Sequence, residues 1–239
     1  MSAPGAASAS EDNHVHSTFS DGQGTIEENI AAAEAQGLEA LTCVDHVRHD
    51  TSWAPEFVRA VRAADAGTDV ELRCGLEAKL MDTAGGLDLP EDTGGADFIY
   101  AADHQVPSDS GPVHPAKVRE QIETGSTGAG EIFEAIVTST ANAVLSHEGV
   151  VIAHLFSVLP KIGCSEEQVP IGLIGDLAAS AAESGARVEI DERWGCPSAR
   201  TLGPFLDAGV PVLLSTDSHS PETIGKYEYC LQVVRELAS

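Results

Sequence analysis

Six of the nine histidines in this 239-residue chain stand in a recurring context. His14-Val15-His16, Asp45-His46, Asp103-His104, Ala153-His154 and Asp217-Ser218-His219 each close or directly follow an apolar run of strand length. Glu77 and Glu189-Ile190-Asp191 hold equivalent places. Alternate residues of a strand share a face, so His14 and His16 project together, as do Asp217 and His219. Imidazole with carboxylate, and no thiolate, suits zinc, iron or manganese and not a structural zinc knot. A lone histidine at a strand end is ordinarily a hydrogen-bonded core or surface residue. Six at successive strand ends point instead to one shared site. His49, His114 and His147 fall outside the pattern and read as solvent-facing or supporting residues.

Such donors need a scaffold that gathers strand ends at one place. The apolar runs Asn13–His16, Ala40–Val44, Val70–Leu76, Asp97–Ala101, Val150–His154, Arg187–Ile190 and Val210–Ser215 read as strands. Helical patterns fall between them at Ile26–Gln36, Ala54–Ala64, Gly130–Ser146, Ile171–Ser184 and Ala199–Ala208. Thr25 followed by Glu27 and Glu28 marks a helix start. Gly37, Gly67, Gly149, Gly185 and Gly209 read as helix C-caps. Alternation of helices with almost continuously apolar strands predicts a parallel sheet covered by helices. Seven units without a composition break predict a single α/β domain, a distorted (β/α)7 TIM-like barrel with its site at the C-terminal strand ends. The Gly-, Pro- and Ser-rich stretch Pro107–Thr127, with a short helix at Pro115–Glu123, reads as a loop over the barrel mouth.

Composition limits the partners. With 38 acidic and 13 basic residues the formal charge is −25, a surface that repels polyanions, so binding to long nucleic acid is not expected. The acidic residues run throughout the chain, as on a soluble, salt-adapted surface. No apolar run approaches the roughly 18 residues of a membrane span. The opening MSAPGAASASED lacks the basic and apolar parts of a secretory signal and reads as a disordered tail over residues 1–11, ahead of a domain over 12–239. Cys43, Cys74, Cys164, Cys196 and Cys230, with no CxxC pair, read as reduced thiols of a cytoplasmic protein.

The segments DNHVHSTFSDG, TCVDH, GLEAKL, VIAHLF and STDSH, in this order, resemble the motifs of the PHP (polymerase and histidinol phosphatase) family, over about Asp12 to Ile224. The resemblance implies a distorted barrel of seven βα units and two to three divalent metal ions. It implies that His14, His16 and Asp217 bind one ion and that Glu77 bridges it to a second, completed by His104 and His154. Asp21, His46 and His219 would hold a third. Asp21 stands where some members have histidine, which bears on metal choice at that site. Asp45 and Asp103 have two readings: they orient ligand imidazoles, or they cap the following turns.

Clustered divalent ions suit phosphate-ester hydrolysis, with a metal-bound hydroxide as the expected nucleophile and no G-x-S-x-G elbow to offer a serine. The catalytic candidates are Glu77, Asp217 and His219, with Asp217 and the rim histidines as proton donors. Phosphate binding calls for further cations. Arg193, Lys161 and Lys79 are the candidates, each also readable as a solvated surface charge. Trp194 walls the pocket or covers core. The leading expectation is a phosphomonoesterase on a small phosphorylated metabolite, with histidinol phosphate as a family precedent. The alternatives are a phosphodiesterase or nucleotidase on nucleotides or short oligonucleotides, an amidohydrolase, and a metal-binding module without turnover. The sequence sets neither the substrate nor the oligomeric state.

Overall fold

The computed structural model describes residues 8–238. Fourteen main elements follow the chain: β1 (Glu11–Val15), α1 (Ile26–Gln36), β2 (Ala40–Val47), α2 (Ala54–Ala64), β3 (Glu71–Lys79), β4 (Phe98–Ala102), α3 (Pro115–Glu123), α4 (Ala129–Ser146), β5 (Val150–Ala153), α5 (Ile171–Ser184), β6 (Arg187–Asp191), α6 (Ala199–Asp207), β7 (Val212–Ser215) and α7 (Tyr229–Leu237). The seven strands pair in parallel in chain order, β1 to β7. This is the expected barrel of seven βα units. Among the described residues no helix is long and apolar enough to cross a membrane.

Local chemistry accounts for several element ends. Thr25 and Glu28 form a reciprocal capping box at the start of α1. Gly37 and Gly185 end α1 and α5 in the left-handed conformation. Gly67 does not do so, because α2 runs on into a short 3-10 turn at Asp65–Gly67. Two strands outlast their expected ends. β2 continues through Val47 and β3 through Lys79, so Asp45, His46 and Glu77 lie within strands. The expected tail of residues 1–11 falls mostly outside the described residues. Glu11 is nonetheless the first residue of β1, its carboxylate 2.8 Å from Arg73. Helix α7 went unanticipated, although Cys230 and Val233 bury one of its faces.

The seam between β1 and β7 is where the barrel departs from regularity. The strands meet through one parallel bridge, Val15 to Ser218. The His16 amide donates to the Ser218 carbonyl at 2.8 Å, and the Ser218 amide returns to that of His14 at 3.3 Å. Below that point side chains take over. Asn13 Nδ2 donates to the Leu214 carbonyl at 2.9 Å, and Tyr227 donates to that of Glu11 at 2.7 Å. The buried Asp12 carboxylate accepts from the Thr216 amide at 3.0 Å, the Thr216 hydroxyl at 2.6 Å and the Gly225 amide at 2.9 Å. Each covers a backbone or side-chain group that an incomplete ladder would leave unpaired. Closure is tightest at the C-terminal end, between the segments that carry His14, His16 and Asp217.

Apolar residues fill the shells between strands and helices, and a small set fills the lumen: Val44, Tyr100, Ala102, Val151 and Ala153. Gly75 makes room there, since a Cβ at this position would lie 2.6 Å from Tyr100 Cε2. The Tyr100 hydroxyl donates to the Asn13 carbonyl, and its ring lies 4.8 Å from that of His14. The lumen is therefore a packed floor under the mouth. All five cysteines are free and buried.

Candidate metal centre

Glu77 is the hub of the mouth. Gly75, Glu77 and Lys79 alternate along β3 with one parity, and because Gly75 faces the lumen, Glu77 does too. Its Oε1 lies 2.8 Å from His154 Nε2 and 2.9 Å from His104 Nε2. Its Oε2 lies 2.7 Å from His46 Nδ1 and 3.4 Å from the Nε2 atoms of both His14 and His16. Five imidazoles from β1 and the residue after it, from β2 and from the segments after β4 and β5 thus surround one fully buried carboxylate.

The nine expected positions converge here. His14, His16 and Asp217 form one group of donor atoms within 4.8 Å of each other, and Asp217 Oδ1 is 2.9 Å from His16 Nε2. A second unites Asp21, His46, His219 and also His16, with Asp21 Oδ1 3.3 Å from His219 Nε2 and 3.6 Å from His46 Nε2. In the third, His46 stands with Glu77 and His104, while His154 meets the cluster through Glu77 Oε1. Asp21 is the outlier in burial, its side chain 57% exposed.

The donor set fits divalent ions on its hydrogen bonding. His14 Nε2, both ring nitrogens of His16, His154 Nδ1, Glu77 Oε2 and Asp217 Oδ1 are all buried without a well-formed hydrogen bond. Buried polar atoms normally find partners, and a concentration of exceptions among nitrogen and carboxylate donors is what a metal cluster would satisfy. Two of these residues also sit in left-handed backbone, His154 at φ 28° and Asp217 at φ 47°. Such conformations cost on the order of 1–3 kcal/mol and persist where the surroundings fix them. Glu189 accepts the His154 amide at 2.7 Å, and the Trp194 indole donates to Asp217 Oδ2 at 2.8 Å, leaving Oδ1 turned to the histidines.

Charge balance in the metal-free cluster favours protonated imidazoles. Burial works against the His14 imidazolium, but Glu189 and Glu77 outweigh it and raise its pKa well above the usual value. His154 is raised likewise, burial being overcome by Asp103 and Glu77. His16, where burial dominates, is pushed down to about 4. Burial would raise the Glu77 carboxyl, yet His104, His46 and His14 hold it well below the carboxylate range.

Above the donors opens a cavity of about 810 Å³. Lys79, Lys161 and Arg193 all line it, as do Arg48, Arg119 and His114. Lys161 Nζ lies 3.9 Å over the Trp194 ring, which forms part of the wall. Arg193 approaches Asp217 Oδ2 at 3.7 Å and contacts His219 Nδ1. Lys79 pairs with the buried Asp88 at 3.6 Å.

A model of the PHP domain matches residues 12–167, more than half of the chain. The chain belongs to the PHP domain family. Among solved structures it is similar to histidinol phosphate phosphatase from Lactococcus lactis subsp. lactis Il1403, complexed with zinc, L-histidinol and phosphate. The TM-score is 0.68 at 18% identity, over 95% of this chain and 91% of that one. N-isopropylammelide isopropylaminohydrolase from Burkholderia multivorans gives 0.44 at 17% identity, over 88% and 60% of the two chains. A D-hydantoinase gives 0.37 at 11%, over 89% and 46%. At these identities the likeness is one of fold, and the last two are too distant to carry an argument. No curated protein matches the sequence significantly. Family and donor set together support the coarse reading of this PHP domain as a metal-dependent hydrolase.

Several residues of this PHP domain matter more than their sequence signal suggested. The two readings of Asp45 and Asp103 separate. Asp45 accepts from the amides and hydroxyls of Ser17 and Ser20, fixing the turn that carries Asp21. Asp103 accepts from Ser157 at 2.7 Å and lies 3.6 Å from His154 Nδ1, where its charge favours the imidazolium. Glu189 had no assigned role, yet it faces His14 Nδ1 at 3.1 Å while holding the His154 amide. It fixes the ring that presents Nε2 to the cluster. Glu189→Gln is expected to weaken metal binding about 10–100-fold, as losses of such outer partners do, with little change in fold. Metal titration with circular dichroism would measure this, and an unchanged affinity would count against that role. Arg48 shares strand parity with His46 and could have been found from the sequence. Arg119 lies on α3, in the loop over the mouth, where strand alternation gives no guide.

Proposed function

We propose that this protein is a metal-dependent phosphomonoesterase acting on a small phosphorylated metabolite. One observation carries the reading: an oxygen- and nitrogen-donor cluster at the floor of an open cavity whose wall concentrates cationic side chains in a strongly acidic chain. His14, His16 and Asp217 would hold one ion, Glu77 with His104 and His154 a second, and Asp21, His46 and His219 a third. Zinc, iron and manganese all suit these donors. Bound there, such ions supply Lewis-acid stabilisation of phosphoryl charge and acidify water.

The remaining work falls to the side chains. Lys161 and Arg193, both against Trp194, bind and orient the phosphoryl oxygens. Trp194 shields one wall from solvent and keeps Asp217 Oδ1 turned inward. Burial opposes the Asp217 carboxylate, but His16 and His14 hold it ionised well below its usual range. A carboxylate so held is a poor base, so Asp217 Oδ1 would serve instead as a donor to the ion beside His14 and His16. The cavity volume suits a small molecule. Strand β4, FIYAA, offers no lysine for the carboxylated bridge of binuclear amidohydrolases, which leaves that alternative without its ligand.

Release of inorganic phosphate from a library of phosphorylated metabolites, with diesters and amides alongside, tests the proposal. Turnover confined to monoesters is the expected result. Turnover of diesters or amides alone would overturn it.

A further inference from the structure

The cavity wall carries more positive charge than one phosphate monoester can use. Acidic residues outnumber basic ones 38 to 13 in the chain, so an ordinary surface patch would be acidic. Outside the candidate metal donors, however, the wall holds five cations, Arg48, Lys79, Arg119, Lys161 and Arg193, and a single carboxylate, Asp88. Two or three divalent ions would more than offset the donor carboxylates Asp21, Glu77 and Asp217. A phosphate dianion then leaves the cavity cationic.

The five cations also divide by place in the fold. Lys161 and Arg193 follow β5 and β6 and share Trp194, at 3.9 and 5.9 Å from its ring. Arg48 follows β2, Lys79 ends β3, and Arg119 lies on α3, whose first residues Pro115 and Ala116 line the same cavity. In the strand order β2 and β3 stand apart from β5 and β6, whereas α3 packs on the turn that carries Lys161 and so sets Arg119 beside the first group. Arg48 and Lys79 make up the second group. That second group has its own support. The buried Asp88 accepts the His49 amide at 2.9 Å and stands 3.6 Å from Lys79. Arg48 forms no ion pair among the described residues.

We infer that the substrate bears a second anionic group, a carboxylate or another phosphate, bound by Arg48 and Lys79 at the ends of β2 and β3, apart from Lys161 and Arg193 after β5 and β6. This rests on the phosphomonoesterase reading and narrows it. A substrate whose organic half is cationic meets repulsion from the same two side chains.

Binding of non-hydrolysable analogues to the metal-loaded full chain tests the inference without turnover. Calorimetry would compare propylphosphonate with 3-phosphonopropionate and with propane-1,3-diphosphonate, which separate the carboxylate from the second phosphate. At least one bis-anion is expected to bind about tenfold or more tightly than propylphosphonate, one ion pair's worth of affinity. In Arg48→Ala/Lys79→Ala that ratio should fall to within about twofold of one. Equal affinities in the unaltered protein, no binding by any of the three, or a preference that survives the double substitution would each overturn the inference. Phosphate release from simple monoesters is read separately, so the broader proposal can stand when this one falls.

Discussion

Glu77→Gln is expected to lower kcat by roughly a thousandfold or more while the barrel remains folded. Glutamine keeps the size of the side chain but removes its charge, and puts an N–H donor where only acceptors fit. Both carboxylate oxygens are in use, Oε1 facing His104 and His154, Oε2 facing His46, His14 and His16. Among the described residues no other carboxylate reaches all five rings, so none can take over the bridging role proposed for Glu77. Loss of the negative centre also removes part of what keeps His14 and His154 protonated in the metal-free protein, alongside Glu189 and Asp103. Those rings can shed their protons, which limits the cost to the fold. Metal content should fall from the two or three equivalents expected of the unaltered chain, as elemental analysis of the purified variant would record. Full activity with an unchanged metal count would remove Glu77 from the bridge.

The legibility of Glu77 in the sequence has a simple physical basis. A strand buried on both faces is almost continuously apolar, so a carboxylate within CGLEAKL conflicts with its surroundings unless something pairs with it. The same conflict exposes His14, His16 and Asp217, and the βα rhythm around them gives the barrel. Strand ends were less legible. β2 and β3 run on through Asp45-His46 and Glu77, because facing side chains satisfy one another inside the mouth and extended backbone continues past the point where polarity suggests a turn. Asp12 looks like a surface residue ahead of a strand. Its burial depends on Thr216 and Gly225, about two hundred residues away, so nothing local reveals it. Glu189 is similar: its alternation with Asp191 is visible, but its partners His14 and His154 belong to other strands. Arg119 joins the cavity only because the loop after β4 folds back over the mouth.

Removal of the metal should destabilise this protein strongly, and by an amount that grows with pH. An ion present at a thousand times its dissociation constant stabilises by about 4 kcal/mol, which for a chain of this size corresponds to roughly 8–16 °C in Tm. In the metal-free protein, burial disfavours the His14 and His154 imidazolium ions, yet their carboxylate neighbours raise both groups well above the ordinary 6.5. Folding then favours the protonated rings. The resulting stability is fully present below pH 6.5 and is lost as the pH rises through the elevated values. A bound metal needs the same rings neutral, so its contribution moves the other way, weak where protons compete and full where they have left. His16, held neutral to about pH 4, offers a free donor throughout and does not change the direction. The difference in Tm between metal-loaded and chelator-stripped protein is therefore expected to widen steadily from pH 6 to pH 8.5. Calorimetric scans of both forms across that range would measure it. A gap that stays constant or narrows would show that protons and metal do not compete for the rings around Glu77.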